Sequence, residues 1–209
     1  MGKISTVIFD WDGTLLDSAA LGFHAFQRTF RDLEIEFHHE LYESIYSPNW
    51  YTMYEALGLP KDKWEVADAL WLQHYGEESP CLVDGARGML LALCRRGCRL
   101  GLVSSGSCCR VRREVESVGL DFVFQTVICN EDIVNKKPHP EGLERAIAHM
   151  GTTASASCYV GDSPEDIEMG KNAGVVTVGI RGTYPGSRRL PEANPDLCLD
   201  SLTSLLQHL

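Results

Sequence analysis

The chain has 209 residues, a formal net charge of −10, 44% hydrophobic residues and 23% charged ones. That length suits one α/β core with a modest insertion, or two small domains, and it buries enough surface to fold without a metal or disulfide staple. The acidic balance argues against nucleic acid and anionic membranes as partners, because both are bound through Lys and Arg; a small anionic substrate requires positive charge gathered at its own site.

Met1 to Ser5 runs straight into an apolar strand pattern, without the longer apolar core and small-residue cleavage site of a signal peptide. No apolar run reaches the length of a membrane span. Eight cysteines without an export signal fit a reducing compartment, so the expected location is the cytoplasm. No cysteine pair has partners at zinc-ligand spacing, and Cys108-Cys109, near a helix start, is the one candidate for redox sensitivity.

In chain order, the first strand is Thr6-Val7-Ile8-Phe9, ending abruptly at Asp10. Residues 16–84 then break the strand–helix rhythm. They contain no strand-like run, are rich in aromatic residues, and show helical spacing at Trp64, Ala67, Leu70 and Trp71. This segment reads as a helical domain inserted after the first strand. From residue 85 onward, short apolar runs at 100–103, 122–128, 158–160 and 175–180 alternate with helical patterns at 88–96, 109–118, 141–150 and 164–173. Gly97, Gly119, Gly151 and Gly174 fall where those helices should stop. The runs do not alternate polar with apolar, as expected of strands covered on both faces. The fold class is therefore α/β, a doubly wound, Rossmann-like parallel sheet formed by 1–15 and 85–209, with an inserted helical domain at 16–84.

Polar residues collect at the carboxyl ends of those strands, the edge where open α/β sheets bind ligands. Strand one delivers Asp10-Trp11-Asp12-Gly13-Thr14, and the next delivers Ser104-Ser105-Gly106. Lys136-Lys137-Pro138-His139 follows the third, and Gly161-Asp162-Ser163-Pro164-Glu165-Asp166 the fourth. Two carboxylates about 4 Å apart repel by roughly 4 kcal/mol at an effective dielectric of 20, so four on one rim call for a cation. Oxygen ligands of this kind favour Mg²⁺. Helix capping accounts for Asp17 or Ser18 and for Ser163, but not for two acids flanking Trp11 at the end of a buried strand. Lys136 is read as solvent-facing, His139 as a loop residue, Trp11 as packing behind the site, and Arg110, Arg112 and Arg113 as a solvated helix face.

Asp10-x-Asp12-Gly-Thr14, Ser104, Lys137-Pro and Gly-Asp162-Ser-x-x-x-Asp166 occur in the order and approximate spacing of the haloacid dehalogenase-like hydrolases. The Asp-Trp-Asp-Gly-Thr-Leu-Leu-Asp-Ser string most resembles phosphoglycolate-phosphatase-type members with a helical cap after strand one. The resemblance implies a magnesium-dependent phosphatase for a small phosphorylated metabolite. In it Asp10 is the nucleophile that forms an aspartyl-phosphate, and Asp12 protonates the leaving oxygen and later activates water. Mg²⁺ is held by Asp10, Asp12 through its main-chain carbonyl, Asp162 and Asp166, the last directly or through water. Ser104, Ser105, Gly106, Thr14 and Lys137 contact the substrate.

Asp12 argues against a dehalogenase, which lacks the second acid. A phosphosugar mutase of the beta-phosphoglucomutase type shares every core motif. Its cap offers basic residues to a second phosphate, however, and this cap has only Arg28, Arg31, Lys61 and Lys63. The same scarcity counts against phosphoglycolate itself. A non-catalytic phospho-acceptor scaffold is the remaining alternative, opposed by the complete set of motif residues. Tyr46, Asn49, Trp50 and Tyr51 are cap candidates for facing the substrate. The expected state is a monomer, or at most a weak dimer, because no extended apolar surface calls for a partner.

Overall fold

Thr6–Phe9 form β1, and every one of its residues is buried. In the computed structural model, which describes residues 4–77 and 79–209, the chain continues through β2 (Leu16–Asp17), α1 (Ala19–Asp32), α2 (His39–Ile45), α3 (Trp50–Ala56) and α4 (Trp64–Tyr75). It goes on through β3 (Cys81–Leu82), α5 (Ala86–Arg95), β4 (Arg99–Val103), α6 (Cys108–Ser117), β5 (Thr126–Ile128) and α7 (Glu141–His149). β6 (Ser157–Gly161), α8 (Pro164–Asn172), β7 (Val176–Ile180) and β8 (Leu197–Leu199) complete it. Two compact units result: Met1–Asp17 with Leu82–Leu209, and Ser18–Cys81.

The larger unit is built on a six-stranded sheet in the order β5-β4-β1-β6-β7-β8, parallel throughout. Successive side chains of β1 enter opposite cores. Val7 and Phe9 pack with Leu90 and Leu93 of α5 and Val111 and Val115 of α6. Ile8 packs with Leu143 of α7, Met169 of α8 and Tyr159. Helices cover both faces, which is why the strand sequences carry no polar alternation. Phe9 is level with Leu102 on one side and Val160 on the other, so the residues that follow all three strands emerge at one edge. Gly97 and Gly119 adopt the left-handed backbone (φ +79° and +59°) that ends α5 and α6, a conformation free of steric cost only for glycine.

The smaller unit is helical, with Phe26, Phe30, Tyr42, Met53, Tyr54, Leu59 and Ala67 as its buried core. Aromatic pairs dominate it, among them Phe30–Phe37 at 4.7 Å and Tyr51–Trp64 stacked at 4.9 Å.

Three details differ from the sequence expectation. The segment 16–84, read as free of strand, carries β2 and β3, which pair as a two-stranded sheet. The apolar run at 122–128 is strand only from Thr126; Phe122 lies in a turn and is 74% exposed. The sheet also gains an edge strand, β8, whose three residues are too few to register as a periodic segment.

Candidate active site

The end of β1 places Asp10 at the level of Val103 and Gly161, directly among the loops that follow β4 and β6. Asp10 is 6% exposed, and its Oδ1 accepts from Lys137 Nζ at 2.5 Å. The same ammonium donates to Asp166 Oδ1 at 2.8 Å. Asp166 sits in the first turn of α8, where Ser163 caps the helix by accepting from the Asp166 N–H at 3.2 Å. In return, Asp166 Oδ2 accepts from the Ser163 hydroxyl and from the N–H groups of Ser163 and Asp162. With Tyr159 OH also donating to Oδ1, the Asp166 carboxylate is ringed by donors. The capping expected of Ser163 therefore holds, and it serves the site by fixing Asp166.

Asp162, 3% exposed, receives the Thr14 hydroxyl on Oδ1 at 3.3 Å. Thr14, expected to touch substrate, is fully buried and turned to this carboxylate instead. Asp162 Oδ2 is buried with no hydrogen-bond partner among the described residues. The backbone packs tightly around it: a Cβ on Gly13, whose φ is +82°, would come within 2.5 Å of this oxygen, and one on Gly182 within 2.6 Å.

Ligand oxygens of Asp10, Asp162 and Asp166 all lie within 4.8 Å of one another. Three carboxylates against one ammonium leave a formal charge of −2. Burial pushes Asp10 from 3.8 up to about 7, against the pull of Lys137. Burial, reinforced by Asp166 and Asp10, drives Asp162 well above the ordinary carboxylate range. Burial alone would lower Lys137, but Asp10 and Asp166 hold it well above its usual value. An orphaned buried oxygen and three crowded carboxyl groups with one ammonium among them fit a divalent cation such as Mg²⁺.

Ser104 is 2% exposed at the end of β4, and its Oγ accepts from the Gly106 N–H at 3.0 Å. Gly106 O accepts from Asn130 N at 3.0 Å, which ties this loop to the turn after β5. Ser105 beside it is partly exposed. Lys136, expected to face solvent, is partly buried and donates to the carbonyls of Asn130 and Ile133, bracing the loop that carries Lys137. His139 is a loop residue as expected, its Nδ1 accepting from the Glu141 N–H at 3.2 Å.

The clearest departure is Arg110. Read from sequence as part of a solvated face, it is 5% exposed. Its guanidinium forks onto Asp12, Nη2 to Oδ2 at 2.6 Å and Nη1 to Oδ1 at 3.0 Å. Nη1 also reaches Glu114 Oε2 at 3.0 Å, and Trp11 Nε1 donates to that same oxygen at 2.8 Å. Trp11 is fully buried, as expected, and is anchored by this bond. Burial pushes Glu114 upward, opposed by Arg110. The available signal was spacing: Arg110 and Glu114 stand one turn apart beside the buried stripe of Val111 and Val115. Among the cysteines, Cys109 is exposed, whereas Cys108 lies near buried Cys129 and Asp132, their ligand atoms within 4.8 Å of one another. Arg112 Nε donates to Cys108 Sγ at 3.0 Å.

Within the helical unit, Trp50 and Tyr51 are engaged by Asp68. Its carboxylate accepts from Trp50 Nε1 at 2.9 Å, Tyr51 OH at 3.0 Å and Tyr54 OH at 3.0 Å. Arg28 pairs with Glu77 at 2.5 Å, Arg31 lies 3.7 Å from Asp32, and Lys61 lies 3.5 Å from Glu55.

The parallel sheet, with helices on both faces, thus carries an aspartate-rich, lysine-bridged cluster at its carboxyl edge. The chain belongs to the haloacid dehalogenase-like hydrolases, whose family description matches residues 7–180. Within that family it is a phosphoric monoester hydrolase. It is 31% identical to the pyrophosphatase PpaX of Listeria monocytogenes serotype 4b over 98% of this chain and 96% of that one. Its fold is similar to that of a predicted phosphoglycolate phosphatase from Haemophilus somnus, with a TM-score of 0.88, 21% identity, and coverage of 100% and 99% of the two chains. It is also similar to CbbY from Rhodobacter sphaeroides, with a TM-score of 0.82, 22% identity, and coverage of 97% and 96%. No helix among the described residues is long and apolar enough to cross a membrane.

Proposed function

We propose that this phosphatase is Mg²⁺-dependent and acts on a small phosphorylated metabolite through an aspartyl-phosphate on Asp10. The observation that carries the reading is Lys137 Nζ, 2.5 Å from Asp10 Oδ1 inside a buried cluster of three carboxyl groups. In the first step an Asp10 carboxylate oxygen attacks phosphorus and the bond to the leaving oxygen breaks. That oxygen keeps the electron pair and takes a proton from Asp12. In the second step water attacks the phosphorus of the aspartyl-phosphate and gives a proton to Asp12. Phosphate departs as the bond to Asp10 breaks, and the carboxylate is regenerated.

Lys137 neutralises Asp10 and the arriving phosphoryl group together. Ser104, with backbone N–H groups of the Ser105–Gly106 loop, hydrogen-bonds the phosphoryl oxygens. Thr14 acts one step back, by orienting Asp162. Asp10, Asp162, the Asp12 carbonyl and Asp166, the last directly or through water, would hold Mg²⁺, which would supply charge stabilisation at the phosphoryl oxygens.

The cap's charges favour phosphatase over mutase: Arg28, Arg31 and Lys61 each have a carboxylate within 4 Å inside their own unit. The likeness to a pyrophosphatase brings phosphoanhydrides into the candidate substrates alongside monoesters.

The test is phosphate release from a panel of monoesters and pyrophosphate, with Mg²⁺ and with chelator, for the wild type and Asp10→Asn. Mg²⁺-dependent release that disappears in the variant supports the reading. Release that survives Asp10→Asn removes Asp10 as nucleophile.

A further inference from the structure

Trp11, Asp12, Arg110 and Glu114 close a ring: Asp12 to Arg110, Arg110 to Glu114, Glu114 back to Trp11, and Trp11 to Asp12 through the chain. A buried guanidinium is costly unless charged acceptors surround it, and this one has two. An ordinary one-turn ion pair on α6 would need only Arg110 and Glu114. Here Glu114, itself held by the indole, fixes one side of the guanidinium, and its outer fork is spent on Asp12. Gly106 makes room for it, since a Cβ there would overlap Arg110 Nη2. The phosphate-loop glycine thus has a second use, as the gap through which the arginine reaches the end of β1.

Arginine N–H groups only donate, so both Asp12 oxygens are presented as acceptors, with the carboxylate plane fixed by two parallel bonds. That is the form and the restraint that removal of a proton from water requires. We infer that Arg110 is a positioning residue for the second half-reaction, holding the Asp12 carboxylate as the acceptor that activates water against the aspartyl-phosphate. This rests on the two-step reading above. It predicts an asymmetry between the steps: a leaving group that departs without help leaves the first step insensitive to Arg110, while hydrolysis of the intermediate slows.

The experiment uses 4-nitrophenyl phosphate with the full chain in Mg²⁺, comparing wild type, Arg110→Met and Arg110→Lys, with acid quench and mass measurement of the covalent phospho-protein. General base catalysis contributes about 10²–10⁴-fold, and a misaimed base forfeits part of it. Arg110→Met should lower kcat by about 10- to 100-fold and lower KM in proportion, with kcat/KM within about twofold of wild type and phospho-protein accumulating. Arg110→Lys keeps the charge but not the fork and should fall between the two; it also carries the test if the methionine variant does not fold. A loss of kcat/KM equal to the loss of kcat, without accumulation, is what loosened packing or weaker substrate binding produces, and overturns the inference. Unchanged kinetics in both variants overturn it as well. A folded wild type that releases no 4-nitrophenol and forms no phospho-protein overturns the phosphatase reading itself.

Discussion

The molecule buries carboxylates in two ways. In the helical unit, half-buried Asp68 accepts from neutral donors, two tyrosine hydroxyls and an indole, at 2.9–3.0 Å, with both oxygens engaged. In the sheet unit, a single ammonium bridges Asp10 and Asp166, and Asp162 beside them keeps an oxygen with no partner among the described residues. Burial raises the pKa of Asp68, as it does those of Asp10 and Asp162. The difference lies in compensation. A carboxylate whose bonds are all made locally fixes a fold, whereas a cluster left short of positive charge is an address for a cation and a phosphoryl group.

The largest expected effect separates the two at once. Asp10→Asn should abolish turnover, a loss of at least about 10³-fold in phosphate release, because the attacking oxygen is gone. Asp68→Asn acts on stability instead. One of its donors then meets an amide N–H₂ in place of an acceptor, and denaturant unfolding should show a cost of about 1–3 kcal/mol.

The comparison sharpens with the same exchange at Asp162. Removing one of three crowded negative charges relieves repulsion, so in chelator Asp162→Asn should melt no lower than wild type, in contrast to Asp68→Asn. Adding Mg²⁺ should raise the melting temperature of wild type and not of this variant, since stabilisation by a ligand requires its site. Equal destabilisation by Asp162→Asn and Asp68→Asn would erase the distinction between the two centres.

The smallest effect is in pH. Asp10 titrates near 3.8 unfolded and about 7 folded, so between those values the folded chain binds more protons. Stability of the metal-free protein therefore falls as pH rises from about 4 to 7, with Asp162 adding in the same direction. Lys137, raised rather than lowered, contributes a constant amount throughout that window and loses it only above its ordinary value. Denaturant midpoints at pH 4.5 and 7.5, with and without Mg²⁺, measure the slope; the cation should flatten it.

Lys137, well past the end of β5, was placed by the Lys-Pro motif of the family the chain resembles. Asp10, Ser104 and Asp162 were legible in the sequence because each stands where an apolar run stops, a position set by chain-local pattern. The same holds for the sheet, whose strands are bounded by glycines and short loops. Arg110 was not legible in this way. Its neighbours Arg112 and Arg113 make a basic tripeptide-like face, and only the phase of α6 against the end of β1, together with the gap at Gly106, turns it inward. Thr14 was placed in the right loop, but its hydroxyl is committed to Asp162, a contact across 148 positions that no local spacing encodes. β8 escaped notice because three residues at a sheet edge carry no period.

The place of β1 in the sheet also sets an order of events during synthesis. It precedes β4 and β6 in the chain, yet it lies between them, paired with Arg99 to Leu102 and Ser157 to Val160. A nascent chain exposes Thr6–Phe9 until residue 160 has left the ribosome, long after all 64 positions from Ser18 to Cys81 are available. The strand that carries Asp10 is thus translated before both strands that flank it and is enclosed only after the later of them.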